Sequence, residues 1–142
     1  MMDTSPTILI VDDNEGFRRI YLEYLKSLGV CRLLEAADGL QAWDLLQREK
    51  VDVILADIMM PKMDGMALLK KIRETPAVSD VYLIFATASH SLTSREQGLK
   101  LGADDFLEKP IIKHDLLTRI ETGLRTVAKR RQQKKVGPAI RG

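Results

Sequence analysis

The sequence has a single cysteine, Cys31, among 142 residues, so no disulfide can form within the chain. The simplest interpretation of a single cysteine is a small, buried side chain in a protein of a reducing compartment. We therefore do not expect redox chemistry. No stretch approaches the roughly 18 consecutive apolar residues that a membrane-spanning helix needs. Residues 1–6 have neither the basic nor the apolar region of a secretory leader. These absences predict a cytoplasmic protein without membrane insertion.

Acidic residues are missing from the end of the chain. Residues 126–142 contain six basic residues and no acidic one, whereas residues 1–125 hold 16 basic and 20 acidic residues, a formal charge of −4. We expect one globular domain over 1–125 and, over 126–142, a basic, disordered tail or the start of a linker. The basic charge would attract nucleic acid, but we expect nucleic-acid binding only if an output domain is missing from this chain.

Three nearly continuous apolar runs, at 7–11, 51–56 and 81–86, are rich in β-branched residues. Such runs are typical of strands buried on both faces of a parallel sheet. Shorter strand candidates lie at 32–35 and 105–107. No internal repeat or second core is apparent, so one domain accounts for the apolar residues.

Between these runs the apolar residues recur with helical spacing. Helices are predicted at 17–28, 38–49, 64–74, 92–101 and from 113 to about 128. Asn14, Asp38 and Asp64 are candidate N-caps, and Gly29 is a candidate stop. Strict alternation of strand and helix predicts an α/β sheet with helices on both faces and right-handed crossovers.

The last helix has an apolar series with two possible meanings. Its members are Leu117, Ile120, Leu124 and Val127. The spacing fits either the core face of the helix or the start of a coiled coil. The series ends within two heptads, which favours the core face.

Polar side chains follow the predicted strands where each strand ends. Asp12 and Asp13 follow the first strand, Asp57 ends the third, Thr87 ends the fourth, and Lys109 comes just after the fifth. Ligands of open α/β sheets bind beyond the carboxyl ends of the strands. Each residue alone has a simpler explanation, as a turn cap, a strand end or a solvated lysine. Their joint placement predicts a Mg²⁺ and phosphoryl site.

Four segments resemble the receiver domains of bacterial two-component systems, over about residues 7–124. They are residues 8–14 (ILIVDDN), 57–65 (DIMMPKMDG), 86–88 (ATA) and 102–110 (GADDFLEKP). The resemblance implies a flavodoxin-like (βα)5 fold with a five-stranded parallel sheet in the order 2-1-3-4-5. It also implies a signalling switch that is not a turnover enzyme.

The same resemblance assigns roles to the site residues. Asp57 resembles the phosphoacceptor, which would receive its phosphoryl group from a sensor histidine kinase or a histidine phosphotransfer protein. Asp12 and Asp13 resemble the acidic pair that binds Mg²⁺ with Asp57, and the Met59 backbone carbonyl resembles a further ligand; Mn²⁺ is expected to substitute.

Further residues resemble the switch of the family. Thr87 resembles the hydroxyl that turns towards the phosphoryl group, Lys109 the cation that pairs with that group, and Phe106 the aromatic switch residue. The Lys109–Pro110 bond resembles one that is cis in the family. The surface of the fourth helix, fifth strand and fifth helix is then expected to contact a downstream protein, an output domain or a second copy.

Enzymes of the haloacid dehalogenase type are an alternative, since they also form an aspartyl phosphate. They place a second aspartate two residues after the nucleophile, where this chain has Met59, and that mismatch disfavours them. Met59 and Ser89 would flank the path of an attacking water. Neither is a carboxylate or an amide, so we expect slow hydrolysis of the phosphoaspartate.

Overall fold

The computed structural model describes residues 5–29, 31–88 and 92–140, with side chains through residue 134. Over these ranges, strands and helices alternate along the chain. The strands are β1 (Thr7–Val11), β2 (Arg32–Ala36), β3 (Val53–Asp57), β4 (Tyr82–Thr87) and β5 (Asp105–Glu108), and the helices are α1 (Glu15–Leu25), α2 (Gly39–Arg48), α3 (Gly65–Arg73), α4 (Leu92–Leu101) and α5 (Lys113–Ile140). The strands form one parallel sheet in the order β2-β1-β3-β4-β5. The predicted flavodoxin-like fold is confirmed.

The register of the sheet brings the carboxyl ends of its strands to one edge. Val11, the last residue of β1, pairs with Ala36 of β2 and with Ala56 of β3. Asp57 pairs with Ala86 of β4. Side chains just after β1 and at the ends of β3 and β4 therefore meet at this edge.

The core lies on both faces of the sheet, as continuous apolar strands require. Leu9 and Ile54 belong to the cluster on one face, and Ile10 and Leu55 belong to the cluster on the other. Alternate side chains of one strand thus enter different layers. Ile120 of α5 is fully buried in the second cluster, which supports the core-face interpretation of its apolar series.

The predicted caps begin three of the helices. Asn14, Asp38 and Asp64 each accept a hydrogen bond from a backbone N–H in the first turn of α1, α2 and α3, at 3.0, 2.8 and 2.8 Å respectively. A cap of this kind stabilises a helix by about 1 kcal/mol. Gly29, with φ 85°, follows a short 3₁₀ turn at the end of α1.

Helix α5 is longer than predicted. It continues to Ile140, so residues 126–140 are helical and the expectation of a disordered tail is corrected for them. Arg130 forms an ion pair with Asp104, and Arg131 forms ion pairs with Asp52 and, at 3.2 Å, with Asp80. These aspartates lie at the amino ends of β5, β3 and β4. The proposed domain boundary near residue 126 stays a prediction.

Replacing Arg130 and Arg131 together with alanine is expected to lower the free energy of unfolding by about 1–3 kcal/mol. Asp52 and Asp80 would then keep their negative charges without an arginine partner, although their side chains are only 16% and 15% exposed. Urea unfolding followed by circular dichroism measures the change. Lys129→Ala, at an exposed position of the same helix, is the control. If the double variant unfolds like this control, the two arginines do not stabilise the domain.

Among the residues that the structure describes, no helix combines the length and the apolar character needed to cross a bilayer.

Candidate functional site

Three carboxylates meet at the carboxyl edge of the sheet. Asp12 and Asp13 follow β1 and Asp57 ends β3, and one carboxylate oxygen from each lies within 4.8 Å of the others. Asp12 is buried, Asp57 is half-buried and Asp13 is exposed, so the group opens to solvent on one side. Like charges this close repel one another, and the group therefore favours binding a cation.

Lys109 brings a positive charge to this group. Its Nζ donates to Asp12 Oδ2 at 2.9 Å and to Asp57 Oδ2 at 2.8 Å. Burial has the largest single effect and lowers the pKa of Lys109, but the hydrogen bonds to Asp57 and Asp12 and the negative charges of these residues together outweigh it and hold that pKa above its ordinary value. The lysine is therefore charged when it contacts the two carboxylates. The Lys109–Pro110 peptide bond is cis, as the resemblance implies.

The loop after β1 is held by side chains of α1 and its cap. Asn14 N donates to Asp12 Oδ1 at 2.8 Å, and Asn14 Oδ1 accepts from Phe17 N at 3.0 Å. Arg18 donates to the Asp12 backbone carbonyl at 2.7 Å and to Glu35 of β2 at 3.0 Å. Arg18 therefore fixes the backbone beside a site carboxylate. Helical periodicity marks it only as a polar position, so the sequence does not reveal this role.

The loop after β3 approaches the strand end closely. Met59 N donates to Asp57 Oδ1 at 3.1 Å, and Gly65 N donates to the Ile58 carbonyl at 2.8 Å. A Cβ on Gly65 would lie 2.6 Å from the Asp57 carbonyl oxygen and 2.8 Å from the Phe85 ring, so this position requires glycine. The Met59 side chain is exposed, and the role of its carbonyl as a ligand stays a prediction.

Two aromatic rings of α1 lie beside the lysine. Lys109 Nζ lies 4.6 Å from the centroid of the Phe17 ring, and Phe17 stacks on Tyr21 with ring centroids 6.2 Å apart. Burial raises the pKa of Tyr21 to about 12; Lys109 opposes the rise, whereas Asp12 and Asp57 add to it. The sequence places both rings on the apolar face of a helix but does not show their proximity to the site.

Thr87 and Phe106 lie on the strands beyond Asp57. Thr87 ends β4, and Phe106 of β5 pairs with Phe85, two residues before Thr87, so the three side chains share one face of the sheet. The Phe106 ring is buried 5.8 Å from the Phe85 ring, and a Cβ on Gly98 of α4 would lie 2.7 Å from it. Thr87, Phe106 and Lys109 all line one cavity of about 380 Å³.

The structure thus brings Asp12, Asp13, Asp57 and Lys109 together, while Phe106 lies in the core beneath α4. Ser89, which the sequence places near the path of an attacking water, lies outside the described residues.

Comparisons with known proteins agree with this geometry. A family model described as the response regulator receiver domain matches residues 8–121. The probable transcriptional regulator ycf27 of Guillardia theta is 39% identical over 128 residues, which are 90% of this chain and 49% of that protein. The response regulator MprA of Mycobacterium sp. (strain KMS) is 36% identical over 118 residues, 83% of this chain and 50% of that protein. The chain spans about half the length of these curated relatives.

Solved structures that resemble this chain are also receiver domains or response regulators. The signal receiver domain of a putative Luxo repressor protein from Vibrio parahaemolyticus superposes with a TM-score of 0.83 at 27% identity, covering 90% of this chain and 96% of that one. The chemotaxis response regulator CheY4 of Vibrio cholerae gives a TM-score of 0.78 at 28% identity, covering 85% and 100%. The sequence match, the sheet order and the acidic group agree, and the chain belongs to the response regulator receiver domain family of two-component systems, a domain that is not itself a turnover enzyme.

Proposed function

We propose that this receiver domain is a phosphorylation-activated switch in which Asp57 accepts a phosphoryl group. The donor would be a phosphohistidine of a sensor histidine kinase or of a histidine phosphotransfer protein. The observation that carries the proposal is the contact of Lys109 with Asp57 at 2.8 Å within a group of three carboxylates. This arrangement combines a nucleophilic oxygen with a fixed positive charge, as phosphoryl transfer requires.

The chemistry of the donor set fits Mg²⁺. The carboxylates of Asp12, Asp13 and Asp57 and the backbone carbonyl of Met59 would hold the ion, and Mn²⁺ can substitute because it accepts the same oxygen ligands. Three carboxylates with the Lys109 ammonium carry a formal charge of −2, which a divalent cation neutralises. When bound, Mg²⁺ supplies further positive charge for the phosphoryl oxygens.

The residues of the chain carry the transfer step. An Asp57 carboxylate oxygen forms a bond to phosphorus while the bond from phosphorus to the donor imidazole nitrogen breaks, and that nitrogen keeps the electron pair. Lys109 exchanges a carboxylate partner for a phosphoryl oxygen, and the Thr87 hydroxyl approaches the same group from the end of β4. The product is an aspartyl phosphate.

Acetyl phosphate with Mg²⁺ is expected to add one phosphoryl group to the wild-type chain. Intact-mass spectra would show the addition, and peptide mapping after borohydride reduction would place it on Asp57. EDTA should stop the reaction because the carboxylate group then lacks its divalent cation. Phosphoryl addition at an unchanged rate in EDTA, or on a different residue, would contradict the proposal.

The output of the switch is proposed to be the surface formed by residues 91–101 and 104–122, which includes α4, β5 and the first part of α5. A downstream protein, an output domain or a second copy of the chain would bind there. Some curated relatives are named transcriptional regulators, but this chain spans about half their length. A nucleic-acid target is therefore proposed only for a chain that carries an output domain.

Signal transmission is proposed to run from Thr87 to Phe106. Phosphate on Asp57 would attract the Thr87 hydroxyl, and its shift would change the space around the Phe106 ring, which packs against Phe85 and Gly98. A local change in charge then becomes a change between two packing arrangements. Because a ligand only shifts a pre-existing equilibrium, both arrangements should exist before phosphorylation.

Thr87→Ala is expected to uncouple this surface from the site. Beryllofluoride, which mimics the phosphoryl group, should shift amide NMR signals of the wild type around Asp57 and in α4, β5 and α5. In Thr87→Ala the shifts should persist near Asp57 but fade around Phe106, because no hydroxyl moves. Thr87→Ser keeps a hydroxyl and should retain the distant shifts. Distant shifts that survive unchanged in Thr87→Ala would rule out this relay.

A further inference from the structure

The contact between Phe17 and Lys109 lies outside the roles proposed so far. The Lys109 ammonium lies 4.6 Å from the centroid of the Phe17 ring, within the range of a cation–π interaction. Phe17 is 37% exposed as a whole residue, so its ring lies over the lysine at the rim of the site and does not fill the core. We propose that Phe17 is a positioning residue for phosphoryl transfer, whose ring holds the Lys109 ammonium in place while Asp57 reacts. This inference rests on the proposed phosphorylation of Asp57.

The ring is fixed from two directions. The Phe17 N–H donates to Asn14 Oδ1, and Asn14 N donates to Asp12 Oδ1, so two hydrogen bonds connect its backbone to a site carboxylate. One helical turn later, the Tyr21 ring stacks on Phe17 with an interplanar angle of 7°. Tyr21 is buried in the core. The position of the Phe17 ring is therefore set by the helix cap and the core.

A cation–π contact suits a lysine that must change partners. Two of the three N–H donors of Lys109 go to Asp12 and Asp57. As an Asp57 oxygen bonds to phosphorus, the Asp57 carboxylate loses its charge, and the ammonium has to move to the negatively charged phosphoryl oxygens. An aromatic face attracts the cation without binding as strongly as a third carboxylate would. Phe17 can thus keep the ammonium at the site and still let it donate to the phosphoryl group.

Phe17→Leu tests this role, because leucine keeps an apolar side chain but lacks an aromatic face. The maximal rate constant for phosphorylation by acetyl phosphate is expected to fall about three- to tenfold. The donor concentration at half-maximal rate should change little, since the two carboxylates already engage Lys109 before the transfer. Phe17→Tyr keeps the aromatic face and should restore the rate. Ile20→Ala removes exposed apolar surface from the same helix and should react like the wild type.

Fluorinated phenylalanines at position 17 separate electrostatics from packing. Mono-, di- and trifluorination withdraw electron density from the ring face and change its size little, so the logarithm of the rate constant should fall stepwise with fluorine number. A flat series, a Phe17→Leu variant as fast as the wild type, or a Phe17→Tyr variant as slow as Phe17→Leu would overturn the inference. In these cases wild-type phosphorylation at Asp57 would still support the proposed function. A wild type that takes no phosphoryl group at Asp57 would overturn both.

Discussion

Asp57→Asn is expected to abolish phosphoryl incorporation from acetyl phosphate, leaving an intact-mass spectrum like that of a sample without donor. Asparagine matches the shape of aspartate, and its side-chain oxygen can still accept from Met59 N, as Asp57 Oδ1 does at 3.1 Å. Its amide is a poor nucleophile towards phosphorus, so the chemistry is lost. The amide nitrogen takes the place of Asp57 Oδ2 and cannot accept from Lys109, so that hydrogen bond is lost as well. Asp13 is the exposed carboxylate of the group, and peptide mapping would detect a transfer to it.

Asp64→Asn is the matched control for this variant. It makes the same chemical change in the same loop, where the Asp64 carboxylate caps α3 by accepting from Ala67 N at 2.8 Å. Asparagine caps helices about as well as aspartate, so the control should be phosphorylated at the wild-type rate. Phosphorylation of Asp57→Asn at that rate would show that another residue is the acceptor.

The sequence predicts much of the fold because strands and caps leave local signals. Strands buried on both faces appear as continuous apolar runs, and Asn14, Asp38 and Asp64 begin helices where the cap pattern predicts. The order of the strands leaves no such local signal. The order is implied only by the resemblance to a family, since periodicity does not indicate which strands are neighbours.

The length of α5 could not be predicted from local signals. Residues 129–135 are basic and polar, which is typical of a solvated or disordered segment. Their acceptors, at Asp52, Asp80 and Asp104, are remote in the sequence and meet α5 only in the folded sheet. Side chains of this kind stabilise a helix through tertiary contacts that composition does not reveal.

In the candidate site, too, only part of the arrangement could be predicted from the sequence. The carboxyl ends of parallel strands lie at one edge, so the placement of Asp12, Asp57 and Lys109 could be predicted from the strand pattern alone. The contributions of Phe17 and Arg18 depend on how α1 rotates against the sheet. Spacing alone assigns Phe17 to an apolar helix face, but the structure shows its ring over the site lysine.

Lys109→Met is expected to change the phosphorylation rate and the affinity for Mg²⁺ in opposite directions. The phosphorylation rate should fall about a hundredfold or more, because the phosphoryl oxygens lose a charged donor in a partly buried site. The affinity for Mg²⁺ should rise about three- to tenfold, because an ammonium that competes for Asp12 and Asp57 is gone. Calorimetric titration with Mg²⁺ and intact-mass kinetics measure the two effects.

Stability provides a third measurement on the same variant. Asp12 has a side chain that is 2% exposed, and without Lys109 its charge is buried beside Asp57 and Asp13. The free energy of unfolding without Mg²⁺ should therefore fall by about 2–4 kcal/mol. Added Mg²⁺ should raise the melting temperature more than it does in the wild type, since binding stabilises the folded state according to affinity.

Lys70→Met, at an exposed position of α3, removes the same charge away from the carboxylates and should leave all three quantities near their wild-type values. The opposite changes in phosphorylation rate and Mg²⁺ affinity distinguish two roles of Lys109. If Lys109 only held the carboxylates in place, its loss would weaken Mg²⁺ binding and phosphorylation together. If Lys109 instead competes with the ion before transfer and stabilises phosphoryl charge during it, tighter Mg²⁺ binding must accompany slower phosphorylation.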